Sequence, residues 1–144
     1  MVKSSVLLRY SLFDGLEEEQ IDQVLSLMES ETYEPNTDIL AEGDPNNKIY
    51  FILDGLVTVI KDDVELMRLG EGGVFGEMEV LEILPVEATI RTTAPTKVLT
   101  LSIDALGEIY DTDLKTYSFI MMNLARDLAR RIRRLNSMLT SDKN

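Results

Sequence analysis

The chain has 144 residues, 44% of them hydrophobic and 28% charged, with a formal net charge of −12; that is enough for one domain with its own core and too little for two ordinary ones. It holds no cysteine and no histidine, which excludes disulfides, cysteine–zinc sites, thiol catalysis, Ser-His-Asp triads and histidine-rich metal centres. The acidic balance argues against nucleic-acid binding by the body of the protein, because phosphate contacts need Lys and Arg.

The first segment predicted to fold is helical. Asp14-Gly15-Leu16-Glu17 has the spacing of a capping box, with Asp14 as N-cap and Glu17 reaching back, and Ile21, Val24, Leu25 and Met28 follow at helical spacing. Leu12, Phe13 and Leu16 are expected to fasten the start of this helix to the core. The earlier run Val6-Leu7-Leu8 is cut off by Arg9 and is too short for a signal-peptide core. No apolar run approaches a membrane span. A cytoplasmic protein without membrane association is expected.

From Glu31 the pattern changes to short strands, with turn clusters at Pro35-Asn36 and Glu42-Gly43-Asp44-Pro45-Asn46. Residues 48–53 alternate, placing Ile49, Phe51 and Leu53 on one face and Tyr50 and Ile52 on the other. Strands at 57–60 and 64–69 flank a hairpin tip at Asp62-Asp63. Gly70, Gly72 and Gly73 break the sheet, and two further strands are predicted at 89–93 and 97–102. Strands this short and this regularly spaced suggest a sandwich or a barrel. Gly43 and Gly55 mark turns that need positive φ, and Gly76 marks a close approach of the backbone to a ligand or to the next strand.

A short helix is predicted near 104–110 and a long one over 113–139. Met121, Leu124, Leu128, Leu135 and Met138 fall at a and d positions of the long helix, Arg131 interrupts one d site, and Ile132 and Leu139 extend the stripe. Residues 126–134 hold five arginines against one aspartate, a local charge of +4 that leaves −16 on the rest of the chain. Such a run is either a solvated helix face or a docking surface for an acidic partner. The resulting plan is a single domain over 1–144, with a helical lead-in at 1–30, strands over 31–102 and C-terminal helices over 103–139.

One stretch carries more chemistry than the rest: Phe75-Gly76-Glu77-Met78-Glu79-Val80-Leu81, then Pro85-Val86-Glu87-Ala88-Thr89. Upstream of it stand Ala41-Glu42-Gly43-Asp44, Ile49-Tyr50-Phe51-Ile52-Leu53-Asp54-Gly55, and Leu69-Gly70 with Gly72. In this order and spacing the pieces resemble the cyclic nucleotide-binding domain family over roughly residues 12–135. The resemblance implies a mainly-β α+β fold, a double-stranded β-helix (jelly-roll) barrel flanked by N-terminal and C-terminal helices. It also implies a non-enzymatic regulatory module of signal transduction, whose ligand is a cyclic nucleotide or a related small molecule.

By the same resemblance, a short helix after Gly76-Glu77 aims backbone N–H groups at a cyclic phosphate, Glu77 takes the ribose 2′-hydroxyl, and an arginine after the proline pairs with the phosphate. Here Val86 stands at the arginine position, and Glu79 stands where the family has a small residue. A charged hydrogen bond contributes on the order of 1.5–3 kcal/mol, so its loss is expected to weaken binding roughly ten- to a hundredfold or more. Glu79 adds like-charge repulsion if it faces the pocket. Strand alternation turns Glu87 away if Val86 points in, and it turns Arg91 to the opposite side of the same strand. Cyclic AMP and cyclic GMP are therefore expected to bind weakly or not at all.

The ligand-contacting residues implied by the resemblance are Phe75, Gly76, Glu77, Met78, Glu79, Val86, Glu87, Ala88 and Thr89. Without a ligand, Glu77 has a second reading as a cap for the N–H groups of the turn. Glu77, Glu79 and Glu87 lack any calcium-loop spacing, and paired carboxylates without a cleft or aromatic platform do not suggest glycoside hydrolysis. No metal and no cofactor are expected. The stripe Met121, Leu124, Leu128, Ile132 and Leu135 either packs on its own barrel or forms a homodimer seam. An alternative function is that of an adaptor, with the fold as scaffold and the basic helix docking a protein partner. The sequence up to Asn144 leaves no room for a helix-turn-helix after the long helix, so the chain by itself is not expected to read DNA.

Overall fold

The computed structural model describes residues 2–141. Its elements in chain order are α1 (Ser4–Leu7), a 3-10 turn (Ser11–Phe13), α2 (Glu18–Leu27), β1 (Glu29–Tyr33), β2 (Asp38–Leu40), β3 (Lys48–Asp54), β4 (Val57–Lys61), β5 (Val64–Leu69), β6 (Val74–Phe75), α3 (Glu77–Glu82), β7 (Thr89–Thr92), β8 (Thr96–Ser102), α4 (Ile103–Thr112) and α5 (Leu114–Ser141). The strands form two four-stranded sheets, ordered β1-β8-β3-β6 and β2-β7-β4-β5, with every pairing antiparallel. Among the described residues no ladder joins one sheet to the other. The mainly-β fold with flanking helices is as expected, and the pairing gives two four-stranded sheets rather than one closed ladder.

The alternation in β3 decides how the layers stack. Ile49 and Phe51 face a core shared with the helices, which also holds Leu12, Phe13, Leu16, Ile21, Val24, Ile120 and Leu124. Leu53 packs against the same core from its edge. Tyr50 and Ile52 face a second core between the sheets, with Leu40, Val57, Leu69, Phe75, Val86, Ile90 and Val98. A strand covered on both faces reads as an almost continuous apolar run, as Ile49 to Leu53 does. Phe51 makes edge-to-face contacts with Tyr10 and Phe13, at ring separations of 5.3 and 5.4 Å.

Local rules account for the turns. Asp62 and Asp63 adopt φ of 52° and 62°, the pair of positive values that a tight two-residue hairpin loop requires. Gly43 and Gly55 have φ of +91° and +120°. The helix start differs from the expected one. Gly15 turns the chain with φ +82°, so α2 begins later, with Glu17 as N-cap and Gln20 completing the capping box. Asp14 instead closes the 3-10 turn, its N–H bonded to Ser11 O.

The long helix α5 is fixed at its first half. Ile120 and Leu124 are buried, and Asn123 Nδ2 donates to the carbonyls of Leu12 and Asp14, both at 2.9 Å. Its second half runs over the end of the sheets where the cassette lies. Among the described residues no helix is long and apolar enough to cross a membrane.

Candidate functional site

The site begins where β6 stops. Gly76 has φ +82°, and a Cβ there would lie 2.7 Å from the Lys48 carbonyl oxygen of β3. The close approach is thus to the neighbouring strand, and only glycine lets α3 start this tightly against it. Asn46 Nδ2 holds the junction, donating to the carbonyls of Lys48 at 2.9 Å and Gly76 at 3.0 Å. After one and a half turns α3 ends at Ile83, in the left-handed region at φ 58° and 83% exposed. A β-branched residue there is strained. The chain then returns to β7 without regular structure.

Between α3, the inner face of the second sheet and the second half of α5 lies a cavity of about 470 Å³. The sheet contributes Leu40, Val59, Met67, Leu69 and Ile90, while α5 contributes Leu128, Arg131, Ile132 and Leu135. The cassette contributes Phe75, Gly76, Glu77, Met78, Glu79, Glu87 and Ala88. Val86 and Thr89 are placed elsewhere. Thr89 Oγ1 accepts the Glu42 N–H at 3.1 Å. Val86 is 3% exposed in the core between the sheets. Its N–H donates to the Asp44 carbonyl, and its carbonyl accepts the Gly43 N–H, each at 2.8 Å.

The expected orientations of Val86 and Glu87 are therefore reversed. Regular strand begins only at Thr89, so strict alternation does not extend back to the loop, where Glu87 and Ala88 both line the cavity. Glu87 sits exposed at the rim beside Lys61, whose Nζ lies 3.7 Å from its carboxylate and 3.4 Å from that of Glu42. From Thr89 on, alternation holds. Ile90 is buried and Arg91 points outward to Asp38, with Nε 2.7 Å from Oδ1. Arg91 gives the cavity no charge.

Glu77 is 1% exposed. Its Oε1 accepts a hydrogen bond from Arg131 Nη1 at 2.8 Å. Arg131 Nη2 lies 2.9 Å from Asp127 Oδ2 and also donates to the Val74 carbonyl. Burial pushes the Glu77 carboxyl above its ordinary range, while the Arg131 guanidinium pulls the other way. Arg131 is the one basic residue lining the cavity among the described residues, and both its terminal nitrogens have partners within the chain. From the sequence it reads as a charge breaking an apolar stripe and as one of the five arginines of residues 126–134, not as a cavity residue. That break was the available signal, since a charged residue on a buried stripe needs a partner on the facing surface.

Glu79 is 8% exposed, and its one side-chain partner is Asn46 Nδ2 at 3.5 Å. Burial raises its pKa, Asn46 opposes the shift, and Glu87 adds to it. The folded chain therefore holds this proton to higher pH than the unfolded chain does. Stability is unaffected while both forms are protonated and is lost as pH rises from the unfolded value through the folded one. Glu79→Gln is expected to melt higher than the natural chain at pH 7, with the gap closing by about pH 4, near the unfolded carboxyl pKa. Thermal unfolding at the two pH values checks this; an equal or lower melting temperature at pH 7 would contradict it.

The stripe on α5 divides. Met121 and Leu124 pack into the helix-side core, Leu128 lines the cavity, and Ile132 and Leu135 line its mouth while staying 59% and 38% exposed. Among the described residues no three acidic side chains are grouped to hold a metal ion.

The family model described as cyclic nucleotide-binding domain matches residues 30–113. The chain is 33% identical over 114 residues to the cAMP-dependent protein kinase type II regulatory subunit of Drosophila melanogaster, covering 79% of this chain and 27% of that protein. It is 33% identical over 133 residues to Glutaminase 2 of Bradyrhizobium diazoefficiens, covering 91% of this chain and 21% of that one. The chain thus spans only about a fifth to a quarter of these curated relatives. A cyclic nucleotide-binding domain from Methylobacillus flagellatus superposes with a TM-score of 0.89 at 26% identity, covering 97% of this chain and 82% of that one. The catabolite activator protein of Thermus thermophilus gives 0.77 at 27% identity, covering 92% and 63%. The matched residues contain the Gly76–Glu77 junction, helix α3 and the return to β7, and the likeness in fold extends over both sheets and the flanking helices: the chain belongs to the cyclic nucleotide-binding domain family.

Proposed function

We propose that the chain is a non-enzymatic, ligand-sensing regulatory module in which cyclic AMP and cyclic GMP bind weakly or not at all. The observation that carries this reading is the Glu77–Arg131 pair. The carboxylate at the ribose-binding position is occupied by an arginine of the same chain, and that arginine is the basic residue of the cavity. A cyclic phosphate entering here finds no free guanidinium and meets Glu79 instead. Isothermal titration of cyclic AMP and cyclic GMP into the protein is expected to show no binding up to about 100 μM, consistent with the lost charged contact. Binding at low micromolar concentration would overturn the reading.

A second reading, a docking scaffold or homodimer, is favoured by the far half of α5. Ile132, Met138 and Leu139 are 59%, 52% and 65% exposed there, among the exposed arginines 126, 130, 133 and 134. Light scattering distinguishes the cases: a homodimer has twice the 16.3 kDa chain mass, and a monomer leaves this face to a different protein or to solvent.

A further inference from the structure

We propose that the cassette cavity takes a small apolar molecule bearing a cationic amine, with the hydrocarbon body between the second sheet and α5 and the ammonium on Glu79. The inference rests on the reading that this cavity is a ligand site, and it adds the chemical class of the ligand. At about 470 Å³ the cavity has the size of an ordinary small-molecule pocket. Its walls are apolar: Leu40, Val59, Met67 and Leu69 on one side face Leu128 and Ile132 on the other. Such walls reward burial of a hydrocarbon and offer a polar ribose-phosphate few partners.

The polar groups point to the sign of the ligand charge. Arg131 is paired with the carboxylates of Glu77 and Asp127 and bonded to the Val74 carbonyl, so its charge is already met within the chain. Glu87 has Lys61 beside it at the rim. Glu79 is different: it is more than nine-tenths buried, lines the cavity, and has one long side-chain contact, to Asn46, beside a hydrogen bond from its own backbone. A buried carboxylate with no cation beside it among the described residues gains most from one placed next to it. A neutral body alone would leave that carboxylate as it is, and an anion would oppose it.

The test compares three probes of equal chain length, octylammonium, 1-octanol and octanoate, by isothermal titration into the full chain at pH 7. Octylammonium is expected to bind at least about tenfold more tightly than octanoate, with octanol between them, as one charged hydrogen bond implies. In Glu79→Gln the gap is expected to shrink to less than about threefold, because most of the preference then goes with the carboxylate. Ile132→Trp, an exposed position at the mouth, fills the cavity without burdening the core and is expected to abolish binding of octylammonium.

Octanoate binding as tightly as octylammonium would overturn the proposal. So would a preference that survives in Glu79→Gln, since it would then come from the overall negative charge of the chain. Absence of binding by all three probes also overturns it, even where cyclic nucleotides stay silent and the broader reading stands. Low-micromolar cyclic AMP binding sinks the broader reading instead, whatever the amines do.

Discussion

Arg131→Met is expected to destabilise the fold by about 3–5 kcal/mol, the range found when one partner of a buried ion pair is removed. The side chains of Arg131 and Glu77 are 15% and 2% exposed. Without the guanidinium, Glu77 remains in a site where burial already raises its pKa, and the Val74 carbonyl loses a donor. Removing both charges should behave differently. Glu77→Met combined with Arg131→Met is expected to recover part of the loss, because the apolar pair removes the buried Glu77 charge while Asp127 and the Val74 carbonyl still lose Arg131. Urea unfolding of the natural chain, the two single variants and the double variant measures the coupling directly. A single-variant cost below about 1 kcal/mol would put the pair in the class of surface ion pairs and remove the argument that it holds α5 over the cassette.

Gly76→Ala is expected to cost about 3 kcal/mol, combining the strain of positive φ with overpacking. The added Cβ would stand 2.7 Å from the Lys48 carbonyl oxygen and 2.9 Å from Asn46 Nδ2. The nearer atom is backbone at the start of β3, a strand paired on both sides with β8 and β6, so α3 must shift instead. That shift would carry Glu77 away from Arg131, and the second half of α5 should loosen as well. Gly107 supplies the control. It lies inside α4 with nothing within 4 Å of a built Cβ, so Gly107→Ala is expected to stabilise by about 0.5–1 kcal/mol through helix propensity. Urea or thermal unfolding reads both substitutions. Equal effects of the two would show that the contact with Lys48 does not constrain the junction.

Both substitutions test features of very different legibility in the sequence. The glycine was readable as a close approach of the backbone, and the structure assigns that approach to the neighbouring strand rather than leaving the ligand as the alternative. The hairpin tip at Asp62-Asp63, the alternation in β3 and the long amphipathic helix were readable for the same reason: turn chemistry and side-chain period are local properties. The start of α2 was misread by three residues, since Asp14 and Glu17 offer overlapping capping patterns and only the turn at Gly15 chooses between them. Val86 and Glu87 were misread because the alternation rule was carried into a loop that is not strand.

By itself, then, the chain determined most of its elements, though not α1 or β6, together with its family and the absence of an arginine after Pro85, all of which depend on residues close together in sequence. Tertiary structure decided what the cavity contains. Arg131 and Glu77 are 54 positions apart, and no local pattern pairs them. Their contact exists because Asn123, Ile120 and Leu124 fix the first half of α5 to the helix-side core, and a rigid helix then carries Arg131 about two turns further, onto the cassette. The same placement sets Leu128 and Ile132 over an apolar cavity that Glu79 also lines.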